Sequence, residues 1–209
     1  MNNKIELAEK IIKKYEGRGC ELKFSNNYEL LVAVILSAQC TDKRVNMVTE
    51  NLFKVANNPS DMLALGEDNL KEIIKPCGFY NNKAKNIIRA SESLIKLFNG
   101  EIPSTKNELL KLAGVGEKTA SVVLAVAFKV PAIAVDTHVF RLSKRLGFAD
   151  EKTEIETMHA LESLLPKNLW IDFHYALVLH GRYVCVARNP KCESCEFCES
   201  CEYYKKKIK

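Results

Sequence analysis

No stretch of this 209-residue chain approaches eighteen apolar residues without a charge, so nothing in it reads as a membrane span. Its opening, MNNKIELAEKIIKKYEGRGC, alternates charged and apolar side chains instead of forming the apolar core of a secretory signal. The expectation is a protein of the cytoplasm, nucleoid-associated if bacterial. Low-complexity linkers are absent. The only run of like charge is the terminal KKKIK, by default a frayed, solvated tail and only secondarily a phosphate contact. Strand-type alternation is scarce. What the chain does have is 47% apolar residues, ample for a packed core in one large domain or two small ones. Its 31 basic and 26 acidic side chains leave a net charge of +5, which permits a polyanionic partner without demanding one.

Helical spacing takes the place of strand alternation nearly everywhere, and the fold class expected is all-α. Ile5, Ala8, Ile11, Ile12 and Tyr15 mark one face of a first helix over residues 4–15. Later apolar stripes repeat that pattern between short polar breaks, and Pro59, Pro76, Pro103, Pro131 and Pro166 fall in the breaks.

The segment STKNELLKLAGVGEKTASVVLAVAF carries the first candidate site. Thr105 and Glu108 have capping-box spacing, and Leu109, Leu110 and Leu112 supply the buried side of a short helix. Ala113, Gly114, Val115 and Gly116 then make a tight connection, with two glycines free to take positive φ, before an apolar helix runs from Glu117 to Phe128. This is a helix-hairpin-helix pattern. It leaves backbone N–H groups at the start of the second helix, where a DNA phosphate is held without side chains and without sequence readout. On the glycines alone an ordinary helical hairpin fits equally well. Lys118 tips the balance, because a cation in a helix's first turn is unfavourable by roughly 0.3–1 kcal/mol and stability gives no reason for it. A nucleophile has one. The helix N-terminus, and the partial burial expected against ASVVLAVAF, both disfavour the ammonium form.

A second candidate stands in VPAIAVDTHVFRLSKRLGF. Asp136 closes an apolar run and opens a helix whose Val139, Phe140 and Leu142 face inward, so it is placed as an N-cap. A carboxylate there can also orient an amine or stabilise positive charge developing on a sugar. His138 is taken as a structural hydrogen-bonding histidine.

Sulfur is concentrated in CVARNPKCESCEFCESC, where five of the eight cysteines occupy residues 185–201. In a reducing compartment such a cluster points to metal more than to disulfides. Spacing leaves two tetrads open. Cys192, Cys195, Cys198 and Cys201 resemble part of a ferredoxin run, and other combinations use Cys185; a tetrahedral zinc site accepts either. Cys20, Cys40 and Cys77 are expected as small core or near-surface side chains.

Taken in order, LSAQCTD, GFYNNKA, LAGVGEKTA, AVDTHVFR, LHGRYVC and the terminal cysteines resemble the endonuclease III family of DNA glycosylases over almost the whole chain. The eighteen residues from Lys118 to Asp136 match that family's catalytic pair. The resemblance implies a six-helix domain at residues 20–130 containing the hairpin. It further implies an iron–sulfur domain built from residues 1–19 and 131–209, with the active cleft between the two. It selects Cys185, Cys192, Cys195 and Cys201 as ligands of a [4Fe–4S] cluster, leaves Cys198 spare, and makes the cluster a staple for a basic loop carrying Arg188 and Lys191. Zinc stays the alternative for protein made without iron.

The implied activity is removal of oxidised pyrimidines from double-stranded DNA by a monomer. Lys118 attacks C1′, Asp136 assists, and β-elimination cuts the strand 3′ to the abasic site. Gln39 matches the residue that enters the vacated stack, and Phe79 stands at a wedge position where leucine is more familiar. Both also have plain structural readings, Gln39 at a helix end and Phe79 in the core. Gly114, Val115, Gly116 and Thr119 complete the DNA contacts, while Ala113 and Glu117 depart from the proline and arginine more usual in the hairpin. Two rival functions are a monofunctional mismatch glycosylase, whose relatives lack a lysine at position 118, and a non-catalytic DNA-binding or iron-sensing protein.

Overall fold

A computed structural model describes residues 2–207. The described residues form twelve α-helices and two short 3-10 turns, with no strand among them. Helix α1 (Asn2–Lys14) is followed by α2 (Asn27–Ser37), α3 (Asp42–Val55), α4 (Pro59–Leu65), α5 (Glu67–Ile74), α6 (Tyr80–Phe98), α7 (Lys106–Leu109) and α8 (Glu117–Ala127). Then come α9 (Thr137–Leu146), α10 (Glu154–Leu164), α11 (Trp170–Tyr183) and α12 (Glu202–Lys207). No helix among the described residues is long and apolar enough to cross a membrane. The chain divides into two compact units, Glu21–Val130 and the pair of segments Met1–Cys20 and Pro131–Lys209.

In the Glu21–Val130 unit, α2 is the hub. Asn26 caps it by accepting the Glu29 N–H at 2.8 Å, and every residue from Tyr28 to Leu36 is buried. A helix buried on all sides needs neighbours on all sides. It packs against α3, α6 and α8, while α4 and α5 cover α6. The polar atoms carried inside are paired: the Tyr28 hydroxyl lies 2.7 Å from Ser91 Oγ, which donates to the Ile87 carbonyl at 2.8 Å. Asn58 and Pro59 start α4 as side-chain cap and first helical residue.

In the other unit α9 and α11 pack together, with α1 on α11 and both α10 and α12 on α9. Ile11, Val139, Leu142, Leu161, Phe173 and Leu177 are fully buried, and Phe173 meets Phe148 edge-on with ring centroids 4.9 Å apart. Each such side chain contributes about 1.5–3 kcal/mol by leaving water. A complete capping box, Thr153 with Glu156, opens α10.

Local expectations fail in three places. Thr105 makes no capping bond to backbone; its hydroxyl donates to the Glu108 carboxylate instead, and α7 is only four residues long. Leu110 is only half-buried, so Leu109 and Leu112 alone supply the buried side. In the terminal KKKIK, Lys205–Lys207 are exposed but end α12 as helix residues, while Ile208 and Lys209 lie outside the described residues.

Candidate functional site

The connection from α7 to α8 is built by three backbone facts. The Val115 N–H donates to the Leu112 carbonyl at 3.2 Å, Gly114 takes φ +78°, and Val115 is buried as the anchor of the turn. Only one of the two glycines needs positive φ: Gly116 is extended, at φ −96° and ψ −179°, and serves as the N-cap of α8. Gly116 has no side chain with which to cap, so the N–H groups of the first turn have no side-chain acceptor. Thr119 is half-buried in that turn. Lys118 is exposed there, so the partial burial expected for it is not found. A Lys106–Glu117 ion pair at 2.5 Å braces the hairpin from solvent, where such pairs contribute little.

Gln39 and Phe79 share a backbone state that residues with a Cβ seldom adopt. Gln39 has φ +53° and Phe79 φ +58°, the left-handed region that disfavours both by roughly 1–2 kcal/mol. Phe79 is 67% exposed at the N-cap of α6, which removes its core-filling reading, and Gln39 is exposed just beyond the end of α2. Beneath them Lys83 is buried and donates from Nζ to the Leu36 carbonyl at 2.9 Å, so an ammonium group closes the last turn of α2. Burial pushes its pKa below the ordinary lysine value, against the pull of the nearby Cys40 and Cys77 thiols.

Asp136 caps α9. Its Oδ1 accepts the N–H groups of His138 at 2.9 Å and Val139 at 2.8 Å, so Oδ2 takes no part in the cap. His138 is half-buried, with Nδ1 3.2 Å from Arg141 Nη2, and desolvation lowers its pKa. Arg141 continues from there, donating through Nη2 to the carbonyls of Gly181 at 3.0 Å and Cys185 at 3.1 Å. The start of α9 is thereby tied to the end of α11 and to the first cysteine of the cluster segment. Gly181 leaves room for this, since a Cβ there would lie 2.9 Å from His138 Nδ1.

All five C-terminal cysteines line one pocket enclosing about 320 Å3, part of it open to solvent, with His180, Tyr203 and Tyr204 among its other walls. No disulfide joins any of the eight cysteines. Successive turns bring the thiols round: the N–H of Cys195 donates to the carbonyl of Cys192, that of Cys198 to Cys195 and that of Cys201 to Cys198, each at 3.1 Å. Cys185, Cys195 and Cys201 have second partners. Arg145 Nη1 donates to Cys185 Sγ at 3.4 Å, the Arg145 carbonyl accepts from Cys201 Sγ at 3.1 Å, and His180 Nε2 lies 3.6 Å from Cys195 Sγ. Burial raises the Cys195 and Cys201 thiols, the opposite of what ligation requires unless a cation compensates. Among the described residues no three His, Cys, Asp or Glu side chains converge as ligands of one ion.

Two further side chains have roles here that periodicity conceals. His180 is 1% exposed, and burial pushes its imidazole down to about 4, which leaves it neutral. With Tyr15 hydroxyl 2.9 Å from Nδ1, one tautomer satisfies both nitrogens: Tyr15 donates to Nδ1, and Nε2–H points at Cys195. Arg145 also donates to the carbonyls of Val186 at 2.8 Å and Ala187 at 2.9 Å, holding the loop whose Arg188 and Lys191 side chains are exposed. The four-residue spacing of Arg141 and Arg145 on one helix face was the available signal for the second arginine; His180, inside an apolar run, offers none.

The chain matches the family model described as HhH-GPD superfamily base excision DNA repair protein over residues 32–167. It is 47% identical over 203 residues to the Endonuclease III of Haemophilus influenzae, covering 97% of this chain and 96% of that protein. Its fold superposes with TM-score 0.94 on a solved structure described as a trapped Endonuclease III-DNA covalent intermediate, 44% identical, covering 100% of this chain and 99% of that one. A thermostable thymine-DNA glycosylase, 24% identical with TM-score 0.88 and 98% of both chains covered, shares the fold.

The hairpin turn is the most sharply constrained point of the site. A Cβ at Gly114 would stand 2.9 Å from the Asn86 Cβ on α6, besides the cost of its positive φ. Gly114→Ala is expected to lower stability by about 1–3 kcal/mol in urea unfolding and to weaken binding to undamaged duplex DNA as well. Unchanged stability with unchanged binding would mean that the turn is not built as described.

Proposed function

The chain belongs to the HhH-GPD superfamily and, within it, to the endonuclease III family, and on that premise we propose that it excises oxidised pyrimidines with Lys118 as nucleophile. It is a bifunctional DNA glycosylase and abasic-site lyase of base excision repair. The observation that carries the choice of nucleophile is the position of Lys118: an exposed amine in the first turn of α8, immediately after a glycine cap that leaves backbone donors for a phosphate.

The substrate dictates the order of events. Inside a duplex the sugar C1′ is shielded, so the nucleotide must leave the stack, at a cost of a few kcal/mol that is least for damaged bases. Phe79 and Gln39 are the side chains proposed to enter the space left behind, one as a ring wedged between bases and the other as a polar filler. Attack on C1′ requires the neutral amine. Asp136, with Oδ2 outside the helix cap, is proposed either to take the Lys118 proton or, as the carboxylate, to stabilise the cationic sugar. As the new C–N bond forms, the base departs with the electrons of the glycosidic bond. The nitrogen lone pair then expels the ring oxygen, the C1′–O4′ bond breaks and O4′ takes up a proton; the resulting iminium acidifies the 2′ carbon, and loss of that proton expels the 3′ phosphate as the strand breaks. Gly114, Val115, Gly116 and Thr119, together with Arg188 and Lys191, are proposed to hold the phosphate backbone on either side.

The five thiols around one pocket fit an iron–sulfur cluster, and Cys185, Cys192, Cys195 and Cys201 would hold it. Of these four, Cys185 and Cys195 have side-chain partners able to donate to a ligated sulfur, Arg145 and His180. A [4Fe–4S] cluster there would supply structural cross-linking of the Arg188–Lys191 loop, with no part in base removal. As a repair enzyme the monomer is proposed to act on double-stranded DNA in the cytoplasm, at the nucleoid if the cell is bacterial.

Duplex DNA with one thymine glycol tests the proposed function. The protein should release the base and nick the strand, and Lys118→Ala should lose both by on the order of 10³-fold or more while still binding the duplex. Nicking by the variant at the original rate would overturn the assignment of the nucleophile. For the cluster, Cys198→Ser is expected to keep its full iron and sulfide content and Cys185→Ser to lose it. The reverse result would favour the tetrad from Cys192 to Cys201.

A further inference from the structure

Three cysteines lie outside the C-terminal pocket, and two of them meet. Cys40 immediately follows left-handed Gln39, and Cys77 lies two residues before left-handed Phe79. Each closes a turn at the end of a helix: the Cys40 N–H donates to the Ser37 carbonyl at 3.0 Å, beyond α2, and the Cys77 N–H to the Ile74 carbonyl at 2.8 Å, beyond α5. The two turns touch. A Cβ on Gly78 would lie 3.8 Å from the Gln39 carbonyl oxygen, an ordinary van der Waals contact, and the two thiols flanking that contact lie close enough to interact. Neither is in a disulfide.

The surroundings distinguish the two sulfurs. Cys77 is fully buried, and desolvation pushes its thiol up to about 11. Cys40 is half-buried, so a small reagent has access to it alone. The Lys83 ammonium, held to the Leu36 carbonyl, is close enough to the Cys77 sulfur to favour its anion, against the burial that raises it. A half-buried, accessible sulfur near a buried ammonium, with a fully buried second thiol behind it, is the arrangement of an attacking and a resolving cysteine.

We propose that Cys40 and Cys77 form a peroxide-responsive dithiol whose oxidation to a disulfide ties the Gln39 turn to the Phe79 turn and weakens binding to damaged DNA. The Cys40 thiolate attacks one peroxide oxygen, the O–O bond breaks, and the other oxygen leaves as hydroxide, which takes up a proton to become water. Cys40 is then a sulfenic acid. The Cys77 sulfur attacks that sulfur, the S–O bond breaks, and the second oxygen leaves as water with the Cys77 proton. Two electrons pass from the two sulfurs to one peroxide, and a dithiol reductant reverses the change. The bond draws the two neighbouring sulfurs to covalent distance, about 2.05 Å. Gln39 and Phe79 are held in sparsely populated backbone states by the turns that carry these sulfurs, so the movement re-aims both side chains.

The dithiol itself stands independently of the proposed DNA chemistry; only its consequence rests on that reading. The full chain with its cluster is treated with hydrogen peroxide and digested without reductant, and the peptides are mapped by mass. A disulfide-linked peptide pair containing Cys40 and Cys77 is expected, lost after dithiothreitol and absent from Cys40→Ser. In the same samples the affinity for a duplex carrying a stable abasic-site analogue should fall by about fivefold or more in the original protein, and recover on reduction. Oxidised Cys40→Ser should show no such fall, and it carries the same cluster, so losses due to cluster damage appear in both. Absence of the linked pair, with Cys40 unmodified or over-oxidised, would overturn the dithiol. A linked pair with unchanged affinity would overturn the coupling to DNA, and failure of the reduced protein to bind the duplex would count against the DNA-insertion roles and not against the dithiol.

Discussion

Burial of α2 on every side is the constraint from which the Glu21–Val130 unit follows. A helix with no solvent face must be surrounded, and α3, α6 and α8 are the neighbours that surround it. Three candidate features emerge from the ends of these helices. Gln39 lies just past the end of α2, Phe79 precedes α6, and Gly116 and Lys118 begin α8. Because the helix bodies are locked by packing, their ends are held where flexible loops would not hold them. Lys83 adds a polar tie to the same core, carrying a buried ammonium from α6 to the last turn of α2. The strained backbone at Gln39 and Phe79 is affordable only on such a base.

Polar ties play the corresponding part in the other unit. Arg141 and Arg145, one turn apart on α9, reach the backbone carbonyls at and just after Cys185, and Arg145 also touches the sulfurs' surroundings at both ends of the cysteine segment. Tyr15 just after α1 and His180 on α11 add a two-step hydrogen-bond path to Cys195. A segment poor in regular secondary structure is thus fixed from three helices, which is what a loop presenting Arg188 and Lys191 to a charged partner requires.

The all-helical class and the helix-hairpin-helix were legible in the sequence because both rest on local rules, namely apolar spacing, glycine pairs and proline breaks. Asp136 as the cap of α9 was legible for the same reason. Where the outcome depended on neighbours distant in sequence, it was not. Thr105 and Glu108 have the spacing of a capping box, yet a helix of one turn gives their side chains little backbone to cap, and they bond to each other. Burial of Lys118 was inferred from the apolar residues after it, but those face α2 while the first turn stays in solvent. Neither Gln39 nor Phe79 is a residue type that announces a left-handed backbone, and the meeting of Cys40 with Cys77 needs two turns that are 37 residues apart in sequence. His180 was invisible for another reason: inside an apolar helix a buried histidine looks like core until its partners are seen.

The central claim, that Lys118 is the amine that joins the sugar, is tested most directly by locating the covalent bond. The protein is incubated with duplex DNA containing one abasic site in the presence of sodium borohydride, which reduces an imine to a stable amine, and the cross-linked peptide is sequenced by mass spectrometry. The adduct is predicted on Lys118 alone. An adduct on any other lysine or on the N-terminal amine, with Lys118 unmodified, would contradict the account.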